Sequence, residues 1–461
     1  MKGRLLLVAS AAALSCGGPE PAAQDPAGLW NGLISISGQD LDISVEIEGP
    51  ADSLSATIDI PVQGAFDLGL DLVRLEGDSI GFSLPSFLGM AEFEGVISGD
   101  AISGRFTQGD QEGTFQLRRA FGGARPYTSR EVQFESEGWS YSGTITMPPG
   151  EGPFPGVVLI SGSGVQGRDE LVAGFGVLGA IADSLSCNGV AVLRCDDRGY
   201  GASPVAALYN TYRIQAADAR AMLRILEAED GVDPDRTGFL GHSEGSTVAL
   251  IAAFDSTAGA DFVICLAGPA VPGYDLLLRQ IDDISRLAGE DEERVQFLVD
   301  AQRDVMDAVL AGDSGAAALD SILESQIRTQ VESMTDEELA AIGDVENYVA
   351  ASLMQTRAAA TSPWFVEFIS TDPAEYATAC RCPVLAVYGS LDVQVEADVN
   401  APAMAGALAG NAGSAVEVLE GANHLFQSAN TGSTEEYASL DQRFVPGLIP
   451  LLLSTISPAG E

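Results

Sequence analysis

The stretch that decides the fold is Thr237-Gly238-Phe239-Leu240-Gly241-His242-Ser243-Glu244-Gly245. Its first four residues form a short strand, and its last five fit the pattern G-x-S-x-G before a helical run that opens at Ser246. The pattern requires a strand, a sharp turn and a helix in this order, because the strained turn lifts the serine hydroxyl clear of the sheet. The stretch therefore predicts a nucleophilic serine, Ser243, at the edge of a sheet.

Short apolar runs alternate with helical stretches on both sides of this motif. The predicted strands cover residues 156–161, 190–195, 238–241, 262–267, 384–388 and 416–419, and the predicted helices cover 173–185, 214–227 and 247–254. Continuous apolar strands that alternate with helices indicate an α/β fold with a mostly parallel sheet and helices on both faces. From about 272 to 370 the chain is instead helical and acidic. We expect this insertion to form a helical cap over the site.

Residues 27–120 read as a small all-β domain. Leu41, Ile43, Val45 and Ile47 alternate with polar residues, which is typical of a half-buried strand. Similar runs separated by glycine-containing turns recur every eight to twelve residues, a spacing that predicts a small antiparallel sandwich or barrel. This segment contains neither histidine nor cysteine, so we expect the catalytic site elsewhere.

The charge of the chain excludes several functions. Its 461 residues include 66 acidic and 23 basic side chains, for a net charge of −43, and only two histidines. Because such an acidic surface repels the negatively charged backbones of nucleic acids, we expect no nucleic-acid partner. Two histidines cannot build a histidine-rich metal site, and no metal is expected.

A serine hydroxyl is a weak nucleophile and needs a base. His242 is the chain neighbour of Ser243, and adjacent side chains at such a turn point apart, so we expect it to be packed at the turn. That leaves His424, on a loop after the last predicted strand. The third member of the triad is predicted to be Asp392, which follows the preceding strand and completes the chain order Ser, Asp, His. Glu396 and Asp398 are the alternatives.

The first 26 residues resemble a bacterial lipoprotein signal and tether. Lys2 and Arg4 precede an apolar run at 5–14 that is too short to span a bilayer, and small residues lead to Cys16. We expect export to the cell envelope or periplasm, with a lipid on Cys16 as the membrane anchor. If Cys16 is not lipidated, we expect secretion.

Residues 128–461 resemble the α/β-hydrolases of the serine-aminopeptidase-like group, in particular the bacterial EstD-type carboxylesterases. The resemblance rests on five stretches: Gly241-His242-Ser243-Glu244-Gly245; Ser161-Gly162-Ser163-Gly164 with Arg168-Asp169-Glu170; Asp196-Asp197-Arg198-Gly199-Tyr200-Gly201 with Ser203; Gly389-Ser390-Leu391-Asp392 with Gln394-Val395; and His424. Ser161 departs from the pattern, since many relatives carry histidine there. The resemblance implies an α/β-hydrolase domain with its cap, preceded by the small all-β domain.

The resemblance also implies a serine esterase that hydrolyses small-molecule esters of short to medium acyl chains, with no cofactor. The backbone N–H of Glu244 and a second N–H at Ser163 or Gly164 would form the oxyanion hole. Arg168 and Asp169 are expected to form an ion pair that holds this loop rather than to bind substrate. An aminopeptidase or acyl-peptide hydrolase with the same triad is the alternative. A non-catalytic protein whose β domain binds an apolar ligand is a third hypothesis.

Overall fold

The computed structural model describes residues 25–457 except 37–38, 51–52, 64, 87–88, 121–124, 201–208, 255–258, 336–338 and 341. Cys16 with the predicted leader, and Gly201 and Ser203 of the family motif, lie outside the described residues. Within the described part of the chain, no helix has both the length and the apolar character needed to cross a membrane.

An eight-stranded antiparallel barrel opens the described chain. Its strands follow one another in chain order, and β1 pairs with β8 to close it, so the structure decides between the sandwich and the barrel that the sequence left open. The alternating apolar positions point inward around a core that holds Trp30 and Phe93, both almost fully buried. The strands are β1 (Gly28–Ile36), β2 (Gln39–Glu48), β3 (Ser55–Ile60), β4 (Ala65–Glu76), β5 (Ser79–Ser86), β6 (Gly89–Ser98), β7 (Ala101–Gln108) and β8 (Gln111–Arg119).

A second, mixed sheet of eight strands forms the centre of the rest of the chain, in the order β18-β17-β16-β15-β11-β14-β10-β9. The six strands from β18 to β14 run parallel, whereas β10 is antiparallel to both β14 and β9. The strands are β9 (Thr128–Ser136), β10 (Trp139–Met147), β11 (Phe154–Ile160), β14 (Ala191–Cys195), β15 (Val232–His242), β16 (Phe262–Leu266), β17 (Val384–Gly389) and β18 (Ala415–Leu419), with a small hairpin of β12 (Leu171–Val172) and β13 (Phe175–Gly176).

Helices cover both faces of this sheet. One apolar core joins the sheet to α2, α3, α9 and α10, and a second core on the opposite face joins it to α1 and α11. The predicted α/β-hydrolase fold preceded by an all-β domain is thereby confirmed. The helices are α1 (Val177–Cys187), α2 (Tyr212–Glu227), α3 (Glu244–Phe254), α4 (Gly273–Leu287), α5 (Glu292–Leu310), α6 (Ala316–Glu332), α7 (Val345–Ala360), α8 (Pro363–Ser370), α9 (Pro373–Ala379), α10 (Ala397–Ala407) and α11 (Leu448–Ile456).

The helix predicted over 173–185 begins later than expected. Ala173 and Gly174 have φ values of 49° and 78°, and they form the turn between β12 and β13. Positive φ values are incompatible with a right-handed helix, so the helix begins at Val177. The apolar pattern alone does not reveal this turn, because Ala173 and Val177 lie four positions apart, a spacing that also fits one face of a helix.

Helices α4 to α8 lie between β16 and β17 and form the cap. Their apolar side chains pack on one another in a small core of their own around Met306, Leu319 and Ile369. The cap contacts the catalytic domain at the carboxyl edge of the sheet, where the Gln280 side chain donates a hydrogen bond of 2.8 Å to the carbonyl of Gln394.

The barrel docks against the loop that precedes α1. The Asp42 carboxylate accepts a 2.6 Å hydrogen bond from the backbone N–H of Gly174. The rings of Phe66 and Tyr200 also meet, with centroids 4.4 Å apart. These contacts place the barrel beside residues 166–174, the segment that follows Gly162-Ser163-Gly164 in the chain.

Candidate active site

Ser243 occupies a sharp turn between β15 and α3. Its φ is 51°, and its backbone N–H donates to the carbonyl of Leu266 on the neighbouring strand at 2.8 Å. A non-glycine residue in this region of φ is strained, and such strain is typical of functional turns. The turn also needs Gly245, because a Cβ there would lie 2.4 Å from the carbonyl oxygens of Ile160 and Ser161. The strand, turn and helix that the motif requires are all formed.

His424 and Asp392 meet at the same edge of the sheet. His424 Nδ1 lies 2.8 Å from Asp392 Oδ2, and both side chains are almost fully buried. The other carboxylate oxygen, Oδ1, accepts hydrogen bonds of 2.8 Å from the backbone N–H groups of Gln394 and Val395. Asp392 is thus fixed on three sides, and Nε2 is the ring nitrogen of His424 left for proton transfer.

The alternative acids lie elsewhere. Glu396 Oε2 lies 3.6 Å from Nη1 of Arg279 in the cap, and Asp398 is exposed on α10. The structure therefore brings Asp392, rather than either alternative, to His424.

The loop that carries His424 is held by its own side chains. Asn423 is fully buried, and its Oδ1 accepts hydrogen bonds from the backbone N–H groups of Leu425 and Gln427. No hydrogen bond joins Ser243 Oγ to His424 Nε2 among the described residues. Such bonds are often long in unliganded enzymes and tighten only when substrate is bound.

His242 is packed at the turn, as the sequence analysis expected, but both of its ring nitrogens have partners. Nδ1 lies 2.9 Å from Glu170 Oε1, and Nε2 lies 3.0 Å from the backbone carbonyl oxygen of His424. The rings of His242 and His424 are 4.9 Å apart. Burial lowers the pKa of His242, but the adjacent Glu170 carboxylate and the His424 carbonyl outweigh it, so the pKa is raised overall.

The predicted oxyanion loop lies against the nucleophile. A Cβ at Gly162 would be 3.2 Å from the Cβ of Ser243, which measures how closely the two backbones approach. The N–H of Gly162 is already engaged, since it donates to Glu170 Oε1 at 2.6 Å. The candidate donors for an oxyanion are the N–H groups of the following residues, Ser163 and Gly164, and of Glu244 at the N-terminus of α3, where the helix dipole favours negative charge.

Glu244 also connects the turn to the cap through its side chain. The carboxyl group is 6% exposed, and its Oε1 accepts a 2.7 Å hydrogen bond from Trp364 Nε1 of α8. Its Oε2 has no hydrogen-bond partner among the described residues. Burial raises the pKa of Glu244, and the contacts with the side chains of Trp364, Ser163 and Gln215 lower it only in part.

The expected ion pair between Arg168 and Asp169 is not formed. Arg168 pairs with Asp196 at 2.6 Å and with Glu131 at 2.5 Å, whereas Asp169 pairs with Arg194 at 2.6 Å. Arg168 and Asp169 are the central residues of a turn, which the Glu170 N–H closes with a 2.9 Å hydrogen bond to the Gly167 carbonyl, and each side chain finds its own partner. Both residues still hold the loop through ion pairs.

Ser161, which departs from the family pattern, has a structural partner. Its hydroxyl donates to the Asp197 carboxylate at 2.9 Å, and that carboxylate also accepts from the N–H of Gln166. Burial raises the pKa of Asp197 to about 8, although these hydrogen bonds oppose the shift.

Sequence reasoning did not assign a role to Glu170 or Trp364. Glu170 belongs to one of the stretches that carry the family resemblance, but the sequence does not show that His242 is its partner. Trp364 is part of no recognisable motif.

Among the described residues, no group of three or more His, Cys, Asp or Glu side chains could hold a metal ion.

Part of the chain matches a known protein family, and a shorter part matches an esterase. Residues 172–427 match the family described as serine aminopeptidase, S33. Esterase EstD of Thermotoga maritima is 32% identical over 163 residues, a match that covers 35% of this chain and 39% of that protein. The chain therefore spans only about two fifths of the length of this relative.

Several solved structures have a limited similarity to this chain. The Pyrococcus furiosus esterase Pf2001 has a TM-score of 0.39 and 14% identity, over 65% of this chain and 85% of its own. A hydrolase from Pseudomonas aeruginosa PA01 has a TM-score of 0.39 and 19% identity, and the match covers 71% of this chain and 98% of that protein. Est1E from Butyrivibrio proteoclasticus has a TM-score of 0.38 and 14% identity, and the match covers 70% of this chain and 96% of that protein. Because the family match covers more than half of the chain, this protein belongs to the serine aminopeptidase S33 family of α/β-hydrolases.

Proposed function

We propose that this protein is a serine hydrolase that cleaves carboxylic esters of short to medium acyl chains. The observation that carries the proposal is the 2.8 Å hydrogen bond between His424 Nδ1 and Asp392 Oδ2, beside a serine held at a φ of 51°. The name of the Thermotoga maritima relative, an esterase, supports the choice of ester over other acyl substrates.

In the proposed reaction, Ser243 Oγ attacks the carbonyl carbon of the ester while His424 Nε2 takes the hydroxyl proton. The negative oxygen of the tetrahedral intermediate is held by the N–H of Glu244 and an N–H at Ser163 or Gly164, and losing one such donor costs about 3–4 kcal/mol of barrier. His424 then gives its proton to the leaving alcohol, and an acyl-enzyme remains. Water activated by the same histidine releases the acid and restores Ser243.

Asp392 keeps His424 in the tautomer that this cycle needs. With Nδ1–H donated to the carboxylate, the lone pair of Nε2 is available to Ser243. The two backbone N–H groups on Oδ1 keep the carboxylate from rotating.

The proposal is tested with p-nitrophenyl acetate, butyrate and palmitate. We expect the acetate and butyrate to be hydrolysed fastest, and Ser243→Ala to lower kcat by about 10⁶-fold. Ser184→Ala is the matched control, because the hydroxyl of Ser184 bonds only to a carbonyl of its own helix. Undiminished hydrolysis by Ser243→Ala would contradict the assigned nucleophile. Turnover of the palmitate alone would contradict the assigned acyl length.

A second candidate is an aminopeptidase or acyl-peptide hydrolase with the same triad. The observation that favours it is a cleft of about 430 Å³ between α4 and the loop after Asp392, whose charged lining has four acidic side chains, Asp275, Asp282, Asp283 and Glu396, and one basic side chain, Arg279. Burial and the neighbouring Glu396 raise the pKa of Asp283 to about 7. A substrate ammonium group would stabilise these carboxylates in their ionised form.

The two activities are separated by comparing esters with leucine p-nitroanilide and its N-acetyl derivative. The esterase proposal expects both anilides to be cleaved at least 100-fold more slowly than p-nitrophenyl butyrate. Faster cleavage of the free-amine anilide would favour the aminopeptidase. Binding of apolar ligands without any turnover would instead favour the non-catalytic hypothesis.

We also propose that the protein is exported and held at the cell envelope by a lipid on Cys16. The support is the leader pattern in the sequence. Expression of the full chain and of Cys16→Ala in a bacterial host, followed by membrane fractionation, tests it. We expect the wild-type chain in the membrane fraction and Cys16→Ala in the soluble envelope fraction, and the same location for both would refute lipid anchoring.

A further inference from the structure

A second buried pair of histidine and carboxylate lies behind the triad. Glu170 and His242 are each about 2% exposed, and they are 2.9 Å apart between Oε1 and Nδ1. The same Oε1 accepts the 2.6 Å bond from Gly162, while Oε2 has no partner among the described residues. None of these groups takes part in the reaction steps above.

The hydrogen bonds of His242 define its protonation. A backbone carbonyl oxygen can only accept, so the 3.0 Å contact with the His424 carbonyl requires a proton on Nε2. The contact with Glu170 is strongest when Nδ1 also carries a proton and the carboxylate is ionised. The raised pKa of His242 favours this imidazolium form, because Glu170 and the His424 carbonyl together outweigh burial.

This ion pair connects the three loops that build the site. His242 ends β15 and precedes Ser243, Glu170 holds the backbone of the oxyanion loop at Gly162, and Nε2 holds the backbone of the base at His424. A displacement of about 1 Å at any of these loops is enough to lower a rate by about 100-fold.

We propose that Glu170 and His242 are positioning residues that fasten the oxyanion loop and the base loop to the nucleophile, and that they do so while His242 carries a proton on each ring nitrogen. When His242 loses one of its protons at high pH, one of its two hydrogen bonds, to Glu170 or to the His424 carbonyl, is broken or has its donor and acceptor exchanged. The kinetic part of this inference rests on the proposed esterase function, but the state of His242 itself does not.

The charged and titratable groups around His242 come from three elements. Glu170 faces Nδ1, His424 faces Nε2 with Asp392 behind it, and Asp197 lies beyond Glu170. Of these, the Glu170 carboxylate touches the ring directly, so its charge is the one to remove. In Glu170→Gln, an amide oxygen can still accept from Gly162 and from Nδ1–H, but burial then dominates and lowers the pKa of His242.

Because the chain has only two histidines, nuclear magnetic resonance can follow both rings. In full-length protein labelled with ¹⁵N-histidine, the ring signals of His242 are assigned by their loss in His242→Gln. We expect both nitrogens of His242 to remain protonated above pH 6.5, the ordinary pKa of histidine. In Glu170→Gln the doubly protonated form should be lost at a lower pH than in the wild-type protein.

Ester hydrolysis supplies the second readout. We expect the pH profile of kcat to have an alkaline limb, along which kcat falls as His242 loses its proton. We expect Glu170→Gln to move that limb to lower pH. At neutral pH this variant should lower kcat by about 10- to 100-fold while KM changes less than threefold. His242→Gln, which can still donate to the His424 carbonyl, should remove the limb.

Asp218→Asn is the matched control. It neutralises another buried carboxylate, paired with Arg198 at 2.9 Å, that contacts none of the triad residues. We expect it to lower stability without moving the alkaline limb. The proposal is overturned if His242 titrates at its ordinary pKa, or if Glu170→Gln changes neither the His242 signals nor the limb. A wild-type protein without esterase activity would refute the proposed function, and the ring signals would still decide the protonation of His242.

Discussion

Trp364→Phe removes the donor of the hydrogen bond that ties the cap to the nucleophile turn. The aromatic ring of phenylalanine can keep the stacking that Trp364 makes with Phe368, whose centroid is 5.7 Å away. What disappears is the 2.7 Å bond to Glu244 Oε1. The variant leaves a buried carboxylate whose Oε2 also lacks a hydrogen-bond partner, with Ser163 and Gln215 as the remaining side chains that favour its charge.

The size of the effect depends on the charge of Glu244. A hydrogen bond to a charged group contributes about 1.5–3 kcal/mol, so at pH 8 we expect the free energy of unfolding to fall by about 2 kcal/mol. The pKa of Glu244 in the folded protein is raised by burial. A carboxyl group with a raised folded pKa destabilises the fold above that pKa and stops doing so once it is protonated. Losing Trp364 raises the pKa further, so the deficit should shrink toward pH 5.

Urea unfolding of both proteins, followed by circular dichroism at 222 nm, measures this difference. The helices that dominate this signal belong to the catalytic domain and cap, and the barrel contributes little. In a Glu244→Gln background the same substitution should cost only about 0.5–1.5 kcal/mol, because the lost bond is then neutral. Equal losses at pH 8 and pH 5, and in both backgrounds, would refute the reasoning and assign the role of Trp364 to packing alone.

Three further predictions concern the site. Asp392→Asn should keep the fold but lower kcat by about 10⁴-fold at neutral pH, because the wrong tautomer of His424 is then favoured; steady-state kinetics that show a loss under tenfold would contradict the triad. Gly245→Ala places a Cβ 2.4 Å from two carbonyl oxygens and should lower the Tm or prevent soluble expression, whereas an unchanged Tm would mean that the turn can relax. Neutral esters should be hydrolysed better than anionic ones of equal length at low salt, because the net charge of −43 repels anions; a preference for anionic esters under those conditions would refute this electrostatic selection.

The fold was predictable because its signals are local. The G-x-S-x-G turn and the continuous apolar strands depend on residues within a few positions of one another, and the predicted α/β-hydrolase fold is confirmed. The predicted start of α1 was wrong because the turn before it depends on a residue that is distant in the chain. The turn at Ala173 and Gly174 is fixed by the docked barrel, since Asp42 of β2 binds the Gly174 N–H across 132 residues of chain.

Partner choice among charged residues was less predictable. Arg168 and Asp169 are adjacent in the chain, yet each pairs with a residue on another element. In a chain with 66 acidic residues every arginine has several candidate partners, and only packing selects among them. Closure of the barrel is a similar case, because the pairing of β1 with β8 joins strands at opposite ends of the domain.

By itself, the sequence predicted Ser243 as the nucleophile, the chain order of serine, acid and histidine, and His424 as the base, since the chain has only two histidines and the other one lies beside Ser243. Only the tertiary structure paired Glu170 with His242 and Trp364 with Glu244, contacts that span 72 and 120 positions. The reason is physical. A turn is set by the φ values and sizes of neighbouring residues, whereas the partner of a buried charge is set by which distant chain segments pack around it and exclude water.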